Sequence, residues 1–223
     1  MVKHTIVINM NKKTSLKSLS RFLQILDGTF PSGVFVHSFG LEPHIIKQNV
    51  KDINTLNIYL RNLIIDQYSK IEFVCIKKVY EALRNNKLLL INKLDKEYNS
   101  YLTYEYTKSS INIGNNYYTH IKNQTTKDIV KEYFSLIENK KTSANEIIVL
   151  SVYAYDLDIC MEDFIVMWTK KNFINIAATS LKISRIKPSE IQQMLFEFDE
   201  ILQNLDFENI ADKITNFNPL FEE

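Results

Sequence analysis

The sequence predicts an all-α fold: a single compact multi-helix domain of about eight to ten helices with an acidic amphipathic C-terminal tail. Two observations carry this reading. Only four glycines and four prolines occur in 223 residues, whereas sheet-rich chains need many tight turns built from such residues. Apolar residues also recur three and four positions apart through most of the chain, the spacing that lines one face of an α-helix. The hydrophobic fraction of 45% is that of a globular chain and argues against general disorder. The organisation expected is a flexible basic N-terminal segment over 1–17, an all-helical domain over 18–205 and a partner-binding tail over 206–223.

Taken in order, Leu19, Phe22, Leu23 and Leu26 form the first apolar stripe, with Ser18 as its cap and an end near Gly28. Residues 27–43 then break every periodic template. They hold Gly28, Gly33, Gly40, Pro31 and Pro43 among Phe30, Phe35, His37 and Phe39. So apolar a stretch predicts ordered, specially shaped backbone packed against the helices.

Helical spacing returns with Ile53, Leu56, Leu60, Leu63 and Ile64 behind an Asp52 cap, and continues with Ile71, Val74, Cys75 and Val79. A helix opening at Leu88–Leu94 can run on through Tyr98, Tyr101 and Leu102 to Glu105. In the next stripe, Ile111, Gly114, Tyr117, Tyr118 and Ile121, the glycine costs up to about 1 kcal/mol relative to alanine. Either the helix tolerates that cost or a close helix crossing uses the missing side chain. Stripes follow at Ile129–Ile137, at Ile147–Tyr155 and from Phe164 toward Ala178. The last, Ile191 to Leu205, is the clearest, with Pro188 where a first turn accepts it. Beyond it, Phe207, Ile210, Ile214, Phe217 and Phe221 lie in an acidic background, docked on the body or waiting for a partner.

Chemistry is thin. His37 beside Ser38 is the one suggestive pair, and neighbours in sequence do not by themselves form a nucleophile–base geometry. No Gly-x-Ser-x-Gly, His-Glu-x-x-His, Cys-x-x-Cys or phosphate-binding glycine loop occurs. His4, His37, His44 and His120 share no metal-ligand spacing, and Glu162–Asp163 reads as helix-terminal charge. No catalytic, cofactor or metal residue is therefore assigned.

The net charge of +1 is unevenly spread. Five basic residues and no acid precede Asp27; nine acids and one base, Lys213, follow from Pro188. Such asymmetry suits complementary protein surfaces, and solvated termini explain it equally well. Dispersed lysines without a stacking face exclude nucleic acid as the expected partner. The aliphatic block Ile147–Leu150, which no other run exceeds in length, is far short of a membrane span. Two isolated cysteines, Cys75 and Cys160, point to a reducing cytoplasm.

The aperiodic segment carries a resemblance. Leu23-Gln24, Asp27, Phe30-Pro31-Ser32-Gly33, Phe35 and His37-Ser38-Phe39-Gly40-Leu41-Glu42 resemble, in order and spacing, the N-terminal signature of the urease accessory protein family UreF. Farther on, Thr107-Lys108-Ser109-Ser110 with Gly114 keeps the family's serine and glycine but lacks its arginine. Lys182 to Gln192 keeps a positive charge at Lys182 and the last glutamine at Gln192, without the family's motif proline and two glycines. The resemblance thus identifies the chain as a divergent member.

It implies an all-α, non-catalytic chaperone that forms a homodimer. Such a protein bridges a UreD-type protein (UreH in some organisms) and the GTPase UreG, for nickel insertion into apo-urease. Nickel and GTP then belong to the partner complex, and this chain binds no cofactor directly. The implied interaction or structural residues are Phe30, Pro31, Gly33, His37, Ser38, Gly40, Leu41, Glu42, Tyr59, Lys182, Arg185, Gln192, Phe207, Phe217 and Phe221. The tail from Phe207 to Phe221 is expected at the UreD contact. Tyr59, His37 and Lys182–Arg185 are expected at the dimer or GTPase surfaces. A helical protein-binding module of the same ancestry with different partners is the alternative.

Overall fold

The computed structural model describes residues 14–32, 40–183 and 186–215, without the side chains of 182 and 183. Gly33, His37, Ser38, Arg185, Phe217, Phe221 and the Lys182 side chain lie outside it, as do residues 1–13 of the expected N-terminal segment. The described residues hold ten α-helices and no strand: α1 (Leu16–Leu26), α2 (Leu41–Ile46), α3 (Ile53–Asn62), α4 (Glu72–Arg84), α5 (Leu88–Tyr98), α6 (Tyr104–Ile121), α7 (Asp128–Glu138), α8 (Glu146–Asp156), α9 (Met161–Ile183) and α10 (Pro188–Gln203). The expected fold class is therefore the observed one.

The core is organised about α8. Every residue from Glu146 to Ala154 is buried, as a helix apolar on nearly all sides must be. The aliphatic block Ile147–Leu150 is the heart of this helix. α6 and α4 pack most extensively on α8, with α7 and α9 also against it. α5 leans on α4 and α7, while α2 and α10 pack on α9, and α10 also reaches α3.

An aromatic chain knits the α9 side. Tyr68 meets Trp168 edge-on at 4.9 Å between ring centroids, and Phe173 meets Phe198 at 4.9 Å. Arg61 of α3 caps this chain, its guanidinium 5.6 Å above the Phe198 ring.

Local signals explain several helix starts. Asp52 caps α3 as expected, its carboxylate accepting the Thr55 N–H at 2.8 Å while Thr55 Oγ1 accepts the Asp52 N–H. Pro188 opens α10, and Glu190 reaches back to the Lys187 N–H at 3.0 Å.

Three expectations are corrected. Ser15, not Ser18, caps α1: Ser15 Oγ accepts the Ser18 N–H at 3.0 Å. The buried edge of α1 is Phe22 and Ile25, leaving Leu19 and Leu23 39% and 71% exposed, because the helix touches the body along a narrow line with Phe22 edge-on to Phe164. The run from Leu88 to Glu105 is two helices, not one. A short 3₁₀ turn at Asn99–Tyr101 and extended backbone at Leu102 separate them, and Thr103 Oγ1 caps α6 by accepting the Tyr106 N–H.

One irregularity had no counterpart in the periodicity. Between α3 and α4 the chain widens into a π-helical turn over Leu63–Tyr68, marked by the Ser69 N–H donating to the Ile64 carbonyl five residues back. The wider turn buries Gln67 beside Tyr68.

Candidate interaction surfaces

Buried charge fixes the helices that any surface must stand on. Asp95 of α5, wholly buried, accepts from Thr142 Oγ1 at 2.5 Å, the Ala144 and Asn145 N–H groups at 2.7 and 3.0 Å, and Asn145 Nδ2 at 2.8 Å. One carboxylate thereby shapes the turn that delivers the chain into α8. At the other end of α8, Asp156 accepts the Thr126 and Lys127 N–H groups at 2.9 and 2.7 Å and so anchors the start of α7.

Lys171 of α9 donates to Glu146 of α8 at 2.6 Å, both side chains under a tenth exposed. Burial alone would push this ammonium down; the facing carboxylate holds it above the ordinary lysine value instead. Removing either partner would strand a buried charge, at a cost of about 3–5 kcal/mol.

Glu72 is the least compensated. It heads α4, wholly buried, and its Oε1 accepts Gln67 Nε2 at 3.1 Å and the Tyr98 hydroxyl at 3.3 Å. Among the described residues neither Glu72 Oε2 nor Gln67 Oε1 has a side-chain donor. Burial pushes this carboxyl up to about 7, against the partial relief given by Gln67, its own backbone N–H and Tyr98.

The signature segment is visible on both sides of its undescribed centre. Asp27 accepts the Thr29 N–H at 2.8 Å, which turns the chain out of α1. Phe30 then stacks on Tyr117 of α6 at 5.4 Å and meets His120 edge-on at 5.3 Å. Pro31 is exposed, and the buried Ser32 gives its carbonyl to Asn116 Nδ2 at 3.0 Å. Gly40 adopts φ 76 as it opens α2, a left-handed conformation that favours glycine. Leu41 is fully buried and Glu42 faces solvent. The described parts are thus packed on the helices, with Pro31 and Glu42 presented outward.

The remaining implied residues are dispersed. Tyr59 is only 5% exposed and lies against His44, ring centroids 5.0 Å apart; burial drives its hydroxyl far above the ordinary tyrosine value. Lys182 falls in the last turn of α9, and Gln192 is exposed on the first turns of α10. Phe207 is half-buried on the core, and Ile210 and Ile214 pack there too. Lys77 of α4 clamps this stretch through the Ile210 carbonyl at 2.8 Å and Asp212 at 2.7 Å. The described part of the tail, 206–215, is therefore docked on the body.

Sequence reasoning missed the outward row on α1. Leu16, Leu19 and Leu23 are 84%, 39% and 71% exposed. Leu19 also lines a cleft of about 510 Å³ with Tyr80, Arg84, Lys127 and Tyr155. Periodicity alone could not have found this row, because an apolar helical stripe reads the same whether its cover is the core or another chain. Ser110 and Gly114, the two mid-chain residues kept from the resemblance, act in packing. Ser110 Oγ accepts the Glu146 N–H at 3.2 Å, and a Cβ at Gly114 would fall 1.9 Å from the Ala144 carbonyl oxygen.

Among the described residues no three His, Cys, Asp or Glu side chains converge as a metal-ligand set, and no helix is long and apolar enough to cross a membrane. Cys75 is buried and Cys160 exposed, both free thiols. The Cys160 thiol is pushed up to about 11, chiefly by partial burial, which keeps it out of the nucleophilic thiolate form near neutrality.

Comparison with known proteins adds two findings. The UreF family model matches residues 50–199. The urease accessory protein UreF of Bacillus sp. (strain TB-90) is 25% identical over 193 residues, spanning 84% of this chain and 83% of that protein. The family model matches the helical body and begins beyond Glu42, so it does not draw on the signature of residues 23–42.

Proposed function

The chain belongs to the UreF family, and from that premise we propose that it is a non-catalytic urease accessory adaptor. In this reading it bridges a UreD- or UreH-type protein and a UreG-type GTPase while nickel is delivered to apo-urease. It works in the cytoplasm as a homodimer. Nickel is cargo of the assembly and GTP the substrate of the partner, so this chain contributes surfaces rather than a reaction centre.

The observation that supports this most is the coincidence of two signals in different parts of the chain: the 23–42 signature and the family match over 50–199. The geometry agrees with an adaptor. Buried polar groups are spent on joining helices, while apolar side chains such as Leu16, Leu23 and Phe196 stand outward at 84%, 71% and 68% exposure. Isolated exposed leucines are common, but a row along one helix face marks a contact surface.

The test is co-purification of the tagged chain from cells that carry its whole gene cluster. A stable complex containing a UreD-type protein and a P-loop GTPase is expected. A folded chain that captures neither under gentle conditions would favour a helical binding module of the same ancestry with other partners.

A further inference from the structure

Lys96 of α5 and Lys140 and Lys141, in the turn after α7, line an open concavity of about 490 Å³ together with Asn92, Thr142 and Ser143. No carboxylate lines it. The cleft between α4 and α5 carries Glu81 and Glu97 beside its lysines, and the one at Leu19 carries Asp158 and Asp163. Here the charge is of one sign. Among the described residues none of these three lysines makes an ion pair, whereas seven other lysines do.

Among the described residues the acid beneath them forms no ion pair with these lysines. Asp95 is buried with its oxygens occupied by the Thr142 hydroxyl, the Ala144 and Asn145 N–H groups and the Asn145 amide. Its effect is to fix the turn that carries Lys140 and Lys141. Lys140 closes α7 in the left-handed conformation, φ 55, as Gln48, Asn86 and Asp158 close α2, α4 and α8. Three like charges around one hollow repel one another, and an anion in the hollow offsets that repulsion.

The lining is equipped for carboxylates. Ser143 Oγ accepts from Asn99 Nδ2 at 3.0 Å, leaving its own proton to donate outward. Leu89, 81% exposed, lies two turns before Lys96 on the same stripe of α5, about 10 Å along the axis. An open hollow with an apolar neighbour suits a length of polypeptide better than a small enclosed ion.

We propose that this face, Leu89 and Lys96 of α5 with Lys140, Lys141 and Ser143, is a docking surface for a carboxylate-rich segment of a partner protein. It rests on the reading of the chain as a protein-binding adaptor and adds to it a surface and the chemistry of its occupant.

The purified full-length chain and a fluorescein-labelled octaglutamate peptide test it by anisotropy at low ionic strength, independently of any accessory complex. Binding that weakens at least about tenfold in the K96E/K140E/K141E variant is expected, with less than about a twofold loss in K17E/K47E/K51E, which changes the net charge equally at exposed positions elsewhere. Equal losses in the two variants would show attraction to net charge alone and overturn the proposal. So would absence of binding, or displacement of the peptide by inorganic phosphate at the same concentration as by glutamate peptide, which would make the hollow a small-oxyanion site. Circular dichroism of each variant confirms that the fold is kept.

Discussion

Glu72 is the residue at which the physics of this fold is most exposed. A carboxyl group with no access to water, one oxygen without a side-chain donor among the described residues, and a glutamine and a tyrosine against the other is held more comfortably as the neutral acid. Its value near 7 in the fold, against an ordinary 4.5, means that the folded chain retains a proton the unfolded chain releases across that interval. The stability contributed by this group is therefore fully present below about 4.5, falls as pH rises toward 7, and is then lost, by about 3 kcal/mol in all. Glu72→Gln removes the ionisation and keeps the shape. Thermal unfolding between about pH 5 and 8 should show a shallower decline in the variant, which should be the more stable protein at the alkaline end. Parallel curves would mean that Glu72 titrates as an exposed acid does. Nothing in the sequence marked this residue: its neighbours Gln67 and Tyr98 come to it only through the π-helical turn and the fold of α5 back onto α4.

At the scale of elements, the crossing of α6 over α8 is the tightest joint, and the sequence had half revealed it. A glycine in the middle of a helical stripe left two explanations open, and the structure selects the close crossing. A methyl group on Gly114 would overlap the backbone of Ala144, Asn145 and Glu146, none of which can swing aside as a flexible side chain could. Gly114→Ala gains up to about 1 kcal/mol of helix propensity yet should destabilise the fold by about 3 kcal/mol or more, because the helices must separate. Urea unfolding of the variant measures the balance, and an unchanged or raised midpoint would refute the crossing.

Helix existence was legible almost throughout, since the 3.6-residue spacing reflects burial directly. Caps and breaks were less so. Ser18 lies within the first turn that Ser15 caps, and the break between α5 and α6 is hidden because a 3₁₀ turn keeps apolar residues near helical spacing. The orientation of α1 is hidden for a deeper reason: Leu19 and Leu23 look like core residues in sequence, and only tertiary packing shows that Phe22 and Ile25 take that place.

For the whole molecule, the family of the chain was readable from residues 23–42, and the family match over 50–199 places the helical body in the same family. The interaction residues were less readable. A protein that works through contact surfaces concentrates no reactive groups, so its sequence carries no cluster of chemistry to follow, and a side chain kept for a partner looks like one kept for the core. Phe30, Leu41 and Tyr59 show the difficulty, since all three are packed into this chain's own structure, while Pro31, Glu42 and Gln192 are open to solvent.

The central claim, an accessory role in loading urease, is tested most directly by the nickel content of urease itself. The enzyme would be purified from cells carrying the complete gene cluster and from cells lacking only this chain. The account predicts urease that is assembled but nearly free of nickel and inactive without the chain, with both restored when the chain is supplied from a plasmid. Urease equally nickel-loaded and active in its absence would contradict it.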